Sequence, residues 1–127
     1  MDELTNTKGV AQHLTVVGEF LLDRETIRVW RGNKPLRVSM RQFQMLDHFM
    51  RHAGEPVSHK ALKDLVWGPD ATIKEANVTA EIVRLRRAIG GRRREQPIRT
   101  LRKLGYVFES PKRRKTTRPR LQPESAQ

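Results

Sequence analysis

Between Leu14 and Val38 the apolar positions come in short runs, "LTVV", "EFLLD", "TIRVWR" and "PLRVS". Runs of this length, rich in β-branched and apolar residues and broken by Gly18, Asp23 and "RGNKP", predict a small antiparallel sheet. Gly32-Asn33 stands between two of the runs as a hairpin signal. At Ser39 the pattern changes to a helical one. Ser39 and Gln42 spell a capping box, with Val38 and Phe43 placed as its hydrophobic staple. Phe43, Leu46, Met50 and Ala53 then recur at helical spacing, with Phe49 widening the stripe, until Gly54 and Pro56. Val57-Ser58 repeats the entry signal with Leu62 as staple partner. Leu65 and Val66 extend the buried face of this second helix to the stop at Gly68-Pro69.

A third helix carries the most information. Val78, Ile82, Leu85 and Ile89 share one face and predict the side that packs inward. Ala76, Ala80, Val83, Arg84 and Arg87 occupy the opposite arc, flanked by Asn77, Glu81 and Arg86. The outward face is therefore small-sided at its start and strongly basic further on. Gly90-Gly91 ends the helix, "RRREQP" forms a charged loop, and "IRTLRKLGYVF" reads as two strands joined by a tight connection. That connection carries Arg102 and Lys103, two cations that a hairpin covering a core does not need. Residues 1–13 read as a flexible lead-in, 14–110 as the domain. Residues 111–127, "PKRRKTTRPRLQPESAQ", lack apolar periodicity and read as a disordered basic tail.

Length and charge narrow the class. The chain has 127 residues, room for one domain with tails, and no cysteine, so disulfides and thiolate metal sites do not arise. No apolar run approaches the roughly 20 residues of a membrane span, and the N-terminus lacks the basic-then-apolar order of a secretion signal. A cytoplasmic protein is expected. The net charge of +12 is unevenly spread: from Arg84 to Arg120 there are fifteen Lys and Arg against two acids, while the remainder is close to neutral. Such asymmetry points to a polyanionic partner rather than general solubilisation. His48 and His52 are four apart, but no third metal ligand presents itself, so they read as surface histidines. No nucleophile elbow, phosphate loop or carboxylate pair suggests an enzyme, and no cofactor is expected.

Strands, two Ser-capped helices, a basic-faced helix and a cation-tipped hairpin make an α+β winged helix-turn-helix. "GEFLLD", "LRVSMRQFQMLDHFMRHAGEPVSHKALKDLVWG", "NVTAEIVRLRRAIG" and "IRTLRKLGYVF" together resemble the DNA-binding effector domain of OmpR/PhoB-type response regulators, from about Leu14 to Glu109. The resemblance implies a four-stranded N-terminal antiparallel sheet, three helices and a C-terminal β-hairpin wing. It also implies double-stranded DNA as partner, with the third helix in the major groove and the wing in the minor groove. Arg84 corresponds to a base-reading position, where guanidinium can pair with guanine O6 and N7. Ala76 and Ala80 let the backbone approach the duplex. Asn77 can pair with adenine or donate to phosphate, and Glu81 can accept from cytosine N4 or exclude wrong sequences. Arg86 and Arg87 suit phosphates. Trp67 matches a family tryptophan at the end of helix two, and either its indole N–H reaches phosphate or its ring packs the core. Arg102 sits at the wing-arginine position, drawn to a narrow minor groove, and Lys103 adds charge. Thr100 and Tyr106 can donate to the DNA backbone, although Tyr106 also reads as a packed strand aromatic.

Some features depart from the family pattern. Its wing has Gly-x-Gly after the arginine, whereas this chain has Lys103-Leu104-Gly105, which puts strain at Lys103. Ala76 stands for a family arginine and Thr79 for a family aspartate. No receiver module precedes Leu14, and the initiating Met and basic tail favour a free-standing regulator over a fragment. The connection Pro69, Asp70, Ala71, Thr72, Ile73, Lys74 and Glu75 is the candidate contact for RNA polymerase. Pairing head to tail on tandem half-sites is the family's habit. The alternative is a protein- or RNA-binding module without sequence readout. The basic tail suits a sequence-independent grip on DNA.

Overall fold

The computed structural model describes residues 12–91 and 95–110. The expected basic tail, and the lead-in apart from its last two residues, lie outside them. Four strands open the domain: β1 (Leu14–Val17), β2 (Phe20–Asp23), β3 (Arg28–Arg31) and β4 (Lys34–Leu36). They form one antiparallel meander in sequence order. Gly18 and Gly32 take positive φ at the first central position of two-residue turns, a geometry that glycine supplies without steric cost. The expected start of the third strand at Thr26 is corrected. Asp23 accepts from the N–H groups of Glu25 and Thr26, curling the chain, and Ile27 sits at φ 57° before the strand begins.

Three helices follow: α1 (Met40–Arg51), α2 (His59–Trp67) and α3 (Glu75–Ile89). The capping box at Ser39 is present, and Ser58 accepts from the Ala61 N–H at the head of α2. Phe43, Leu46, Phe49 and Met50 are buried as the spacing predicts. Ala53 is exposed instead, because α1 ends at Arg51 and leaves the stripe one turn short. Met45 is buried in addition. The connection before α3 is also shorter than expected: Glu75 already belongs to the helix, in its first turn, where a carboxylate complements the helix dipole.

A hairpin of β5 (Ile98–Leu101) and β6 (Gly105–Phe108) closes the fold. It is tied to the helices by a bridge between Val57 and Tyr106, whose backbones exchange hydrogen bonds of 2.7 and 2.9 Å. Phe20, Leu22 and Val29 from the sheet meet the inward faces of α1 and α3 and the ring of Phe108 in one core. Phe20 and Phe108 pack edge to face, 5.3 Å between centroids, so the first and last sheets share that core directly.

Candidate nucleic-acid interface

The inward face of α3 is as the sequence predicts. Val78, Ile82, Leu85 and Ile89 are buried, and the helix is thereby fixed with Ala76, Asn77, Val83, Arg84 and Arg87 exposed and Ala80 half-buried. The Arg84 side chain is thereby 58% exposed, with small residues toward the start of the helix and Arg87 further along.

Glu81 corrects the expectation of an exposed flank. It is only 6% exposed, and its Oε2 accepts from Nη1 of Arg84 and from Nη1 of Arg41, each at 2.9 Å. Helix geometry explains this: position 81 lies beside 78, 82 and 85, and the side chain turns toward the start of α1 rather than outward. The carboxylate expected to accept from cytosine is thus engaged inside the protein. Arg41 in turn lies over the Trp67 ring, 5.2 Å from its centroid. The Trp67 side chain is half-buried and packs against the core, so its ring serves packing whatever its N–H meets.

Arg86 differs from its expected placement too. Its Nε and Nη2 donate to the Ile98 carbonyl at 3.1 and 2.9 Å, and Nη2 also donates to Thr100 Oγ1 at 2.9 Å. Its guanidinium faces the Tyr106 ring at 5.7 Å, and burial pushes its pKa below the ordinary arginine value. Arg86 locks α3 to the hairpin instead of projecting toward solvent. Tyr106 is the packed strand aromatic: it is buried, with its hydroxyl 3.3 Å from His59 Nε2 and 3.5 Å from Thr79 Oγ1. Thr100 remains exposed, and its hydroxyl accepts from Arg86.

The hairpin tip presents Arg102, Lys103 and Leu104, all exposed. Leu104 N–H donates to the Leu101 carbonyl at 2.9 Å across the turn, and Lys103 has φ 68°, in the left-handed region. Lys103 thus takes the positive φ that the missing first glycine would have held freely. Gly105 explains which glycine this turn retains. A Cβ there would lie against the Val57 carbonyl oxygen and 2.8 Å from Ser58 Cα, so the bridge to Val57 admits only glycine. Position 103 is open to solvent and carries a lysine at the cost of an unfavourable backbone region.

Arg31 is a residue that sequence reasoning missed. From β3 its Nη1 donates to the carbonyls of Ile89 and Gly90, its Nη2 to that of Glu95, and its Nε to Glu19. It satisfies carbonyls at the C-terminus of α3 and secures the start of the loop toward the wing. Nothing local in "WRGNKP" signals a partner nearly sixty residues away. The loop after α2 is anchored by Lys63, which donates to the carbonyls of Gly68 and Pro69, while Pro69, Asp70, Thr72 and Lys74 are exposed. His48 and His52 stack at 4.4 Å, and no group of three or more metal-ligating side chains occurs among the described residues.

A basic helix, an adjoining cation-tipped hairpin and the core that joins them suit a duplex. The family model for the C-terminal domain of transcriptional regulatory proteins matches residues 33–108. The chain belongs to this family, the OmpR/PhoB-type DNA-binding domains of transcriptional regulators. The phosphate regulon transcriptional regulatory protein PhoB of Rhizobium meliloti is 38% identical over 93 residues, covering 73% of this chain and 41% of that protein. Its Escherichia coli counterpart is 32% identical over 89 residues, covering 70% of this chain and 39% of that protein. The chain thus spans about two fifths of the length of these curated relatives. Among solved structures, the Klebsiella pneumoniae RstA DNA-binding domain in complex with the RstA box is similar at a TM-score of 0.68. That likeness has 27% identity and covers 76% of this chain and 96% of that one. The DNA-binding domain of Escherichia coli CadC follows at 0.65, with 29% identity and coverage of 78% and 94%. The OmpR/PhoB-type fold accounts for the four-stranded sheet, the three helices and the wing; it is a regulator's binding domain and not an enzyme.

Proposed function

We propose that this chain is a sequence-specific double-stranded DNA-binding transcription regulator, working in the cytoplasm, with α3 in the major groove and the hairpin in the adjacent minor groove. The observation that carries the reading is the Arg84 side chain, 58% exposed on a packed helix, on the same face as Ala80 one turn before it and Asn77 two turns before it. An arginine there pairs bidentately with guanine, and Ala80 fits against a thymine methyl. Arg87, the Trp67 indole and the Thr100 hydroxyl are the proposed phosphate contacts. These contacts position the protein without reading sequence. Arg102 enters the minor groove, with Lys103 beside it adding charge.

The proposal extends to two protein partners. The stretch from Pro69 to Glu75, with Pro69, Asp70, Thr72, Lys74 and Glu75 exposed, is the proposed surface for RNA polymerase, and two copies pair head to tail on tandem half-sites about one helical turn apart. The readout is tested by competition. Sites are selected from a random duplex pool, and the winner is challenged with excess random duplex of equal length. A regulator keeps its site, whereas steep, salt-sensitive and sequence-blind binding would overturn the reading in favour of a general polyanion-binding module. Arg84→Ala is expected to lose about 1–3 kcal/mol at one base position and relax preference there.

A further inference from the structure

We propose that Arg41, on the first helix, is a specificity-determining residue that acts on the base reader through Glu81. The inference rests on the readout proposed for Arg84. Its physical basis is one shared atom. Glu81 Oε2 takes a hydrogen bond from Arg41 and another from Arg84, both 2.9 Å long. The carboxylate is buried, with an 8% exposed side chain, while the Arg84 and Arg41 side chains are 58% and 45% exposed. Arg41 is held from its other side by the Trp67 ring. The result is a chain of contacts from Trp67 through Arg41 and Glu81 to Arg84, joining all three helices.

Two consequences follow from the geometry. Glu81 occupies one nitrogen of a guanidinium that has five N–H donors in a planar fork, so Arg84 is oriented while the rest of its fork stays available to guanine. Arg41 takes part of the attraction of the same carboxylate oxygen. Without Arg41 that attraction falls on Arg84 alone, holding it back from a base edge. Without Glu81, Arg84 loses its fixed direction and is free to meet phosphates of any sequence. Arg41 and Glu81 are positioning residues: each sets the posture of the group that touches DNA.

The test is a double-mutant cycle read as the ratio of affinities for the selected duplex and a random duplex of equal length, on the full chain. Arg41→Met keeps the apolar stem, and Glu81→Gln keeps the shape and an acceptor oxygen. Glu81→Gln is expected to lower the ratio by about tenfold while strengthening random-duplex binding, since a negative charge is removed. Arg41→Met is expected to lower the ratio and weaken both duplexes. In the Glu81→Gln background Arg41→Met should no longer change the ratio, because the atom through which it acts has lost its charge. Thermal unfolding of each variant checks that the fold survives, and the ratio is a readout that mere stabilisation would not move. An Arg41→Met effect of equal size in both backgrounds, or none in either, overturns the inference while leaving the DNA-reading proposal intact. A wild-type chain with no preferred duplex would overturn both.

Discussion

Replacing Arg86 by Met separates a structural arginine from a DNA-contacting one. Methionine keeps the apolar stem that lies along the hairpin and removes the guanidinium. Three hydrogen bonds disappear, two to the Ile98 carbonyl and one to Thr100 Oγ1. Ile98 is 1% exposed, so water cannot readily replace the lost donors at its carbonyl. Depriving a buried acceptor of its partner costs about 1–3 kcal/mol. The loss of the cation–π contact with Tyr106 adds about 0.5 kcal/mol at such a partly exposed site. The expected destabilisation is about 2 kcal/mol, or roughly 8–16 °C in melting temperature for a domain of this size. Urea unfolding gives the free energy. Salt-titrated binding to random duplex gives the second readout, because every phosphate that the protein ceases to neutralise lowers the steepness of log K against log salt by about 0.9. The structure predicts a large stability loss and an unchanged slope. A stability loss below about 0.5 kcal/mol together with a reduced slope would refute the structural role and restore Arg86 to the phosphate contacts.

Further expectations concern the turns and one histidine. Gly105→Ala forces a methyl group against the Val57 backbone and should destabilise by on the order of 3 kcal/mol or leave the chain unfolded, seen by circular dichroism. Ile27 is a β-branched residue at φ 57° and 42% exposed, so Ile27→Asn should stabilise by about 1 kcal/mol in urea unfolding. Lys103→Gly should relieve its positive φ, stabilising by up to about 1 kcal/mol, while weakening binding to every duplex alike. Burial, then the charges of His52 and Arg51, push the His48 pKa below 6.5 against the pull of Asp47. A depressed histidine pKa means that the unfolded chain takes the proton more readily. The contribution is therefore present above pH 6.5 and is lost as the pH falls through the folded value. His48→Gln should flatten the fall in urea stability between neutral and mildly acidic pH; an unchanged pH profile would contradict this.

The parts of the fold written in local chemistry were legible. Ser39 with Gln42, Ser58, Gly32 and Gly90 act through neighbours within four residues, and periodicity alone assigned the inner face of α3. Position along a helical wheel also gave Arg84 and Arg87 their exposure. What stayed hidden depends on long-range partners. Glu81 sits at the edge of the buried face, and its partner there, Arg41, comes from forty residues away. Arg86 looks like its basic neighbours until the hairpin folds back over it. Arg31 reaches α3 from the opposite sheet. Gly105 is a case in between: the sequence marks it as a turn glycine, but the backbone of Val57 that makes it irreplaceable lies on another element.

Methylation interference at guanine N7 on the selected duplex, comparing the wild-type chain with Arg84→Ala, asks whether Arg84 reads the sequence. If Arg84 reads guanine from the major groove, methylation at one guanine in each half-site should block the wild-type chain and leave the variant's residual binding unaffected. The same interference pattern for both proteins would mean that the exposed face of α3 is not what reads the sequence.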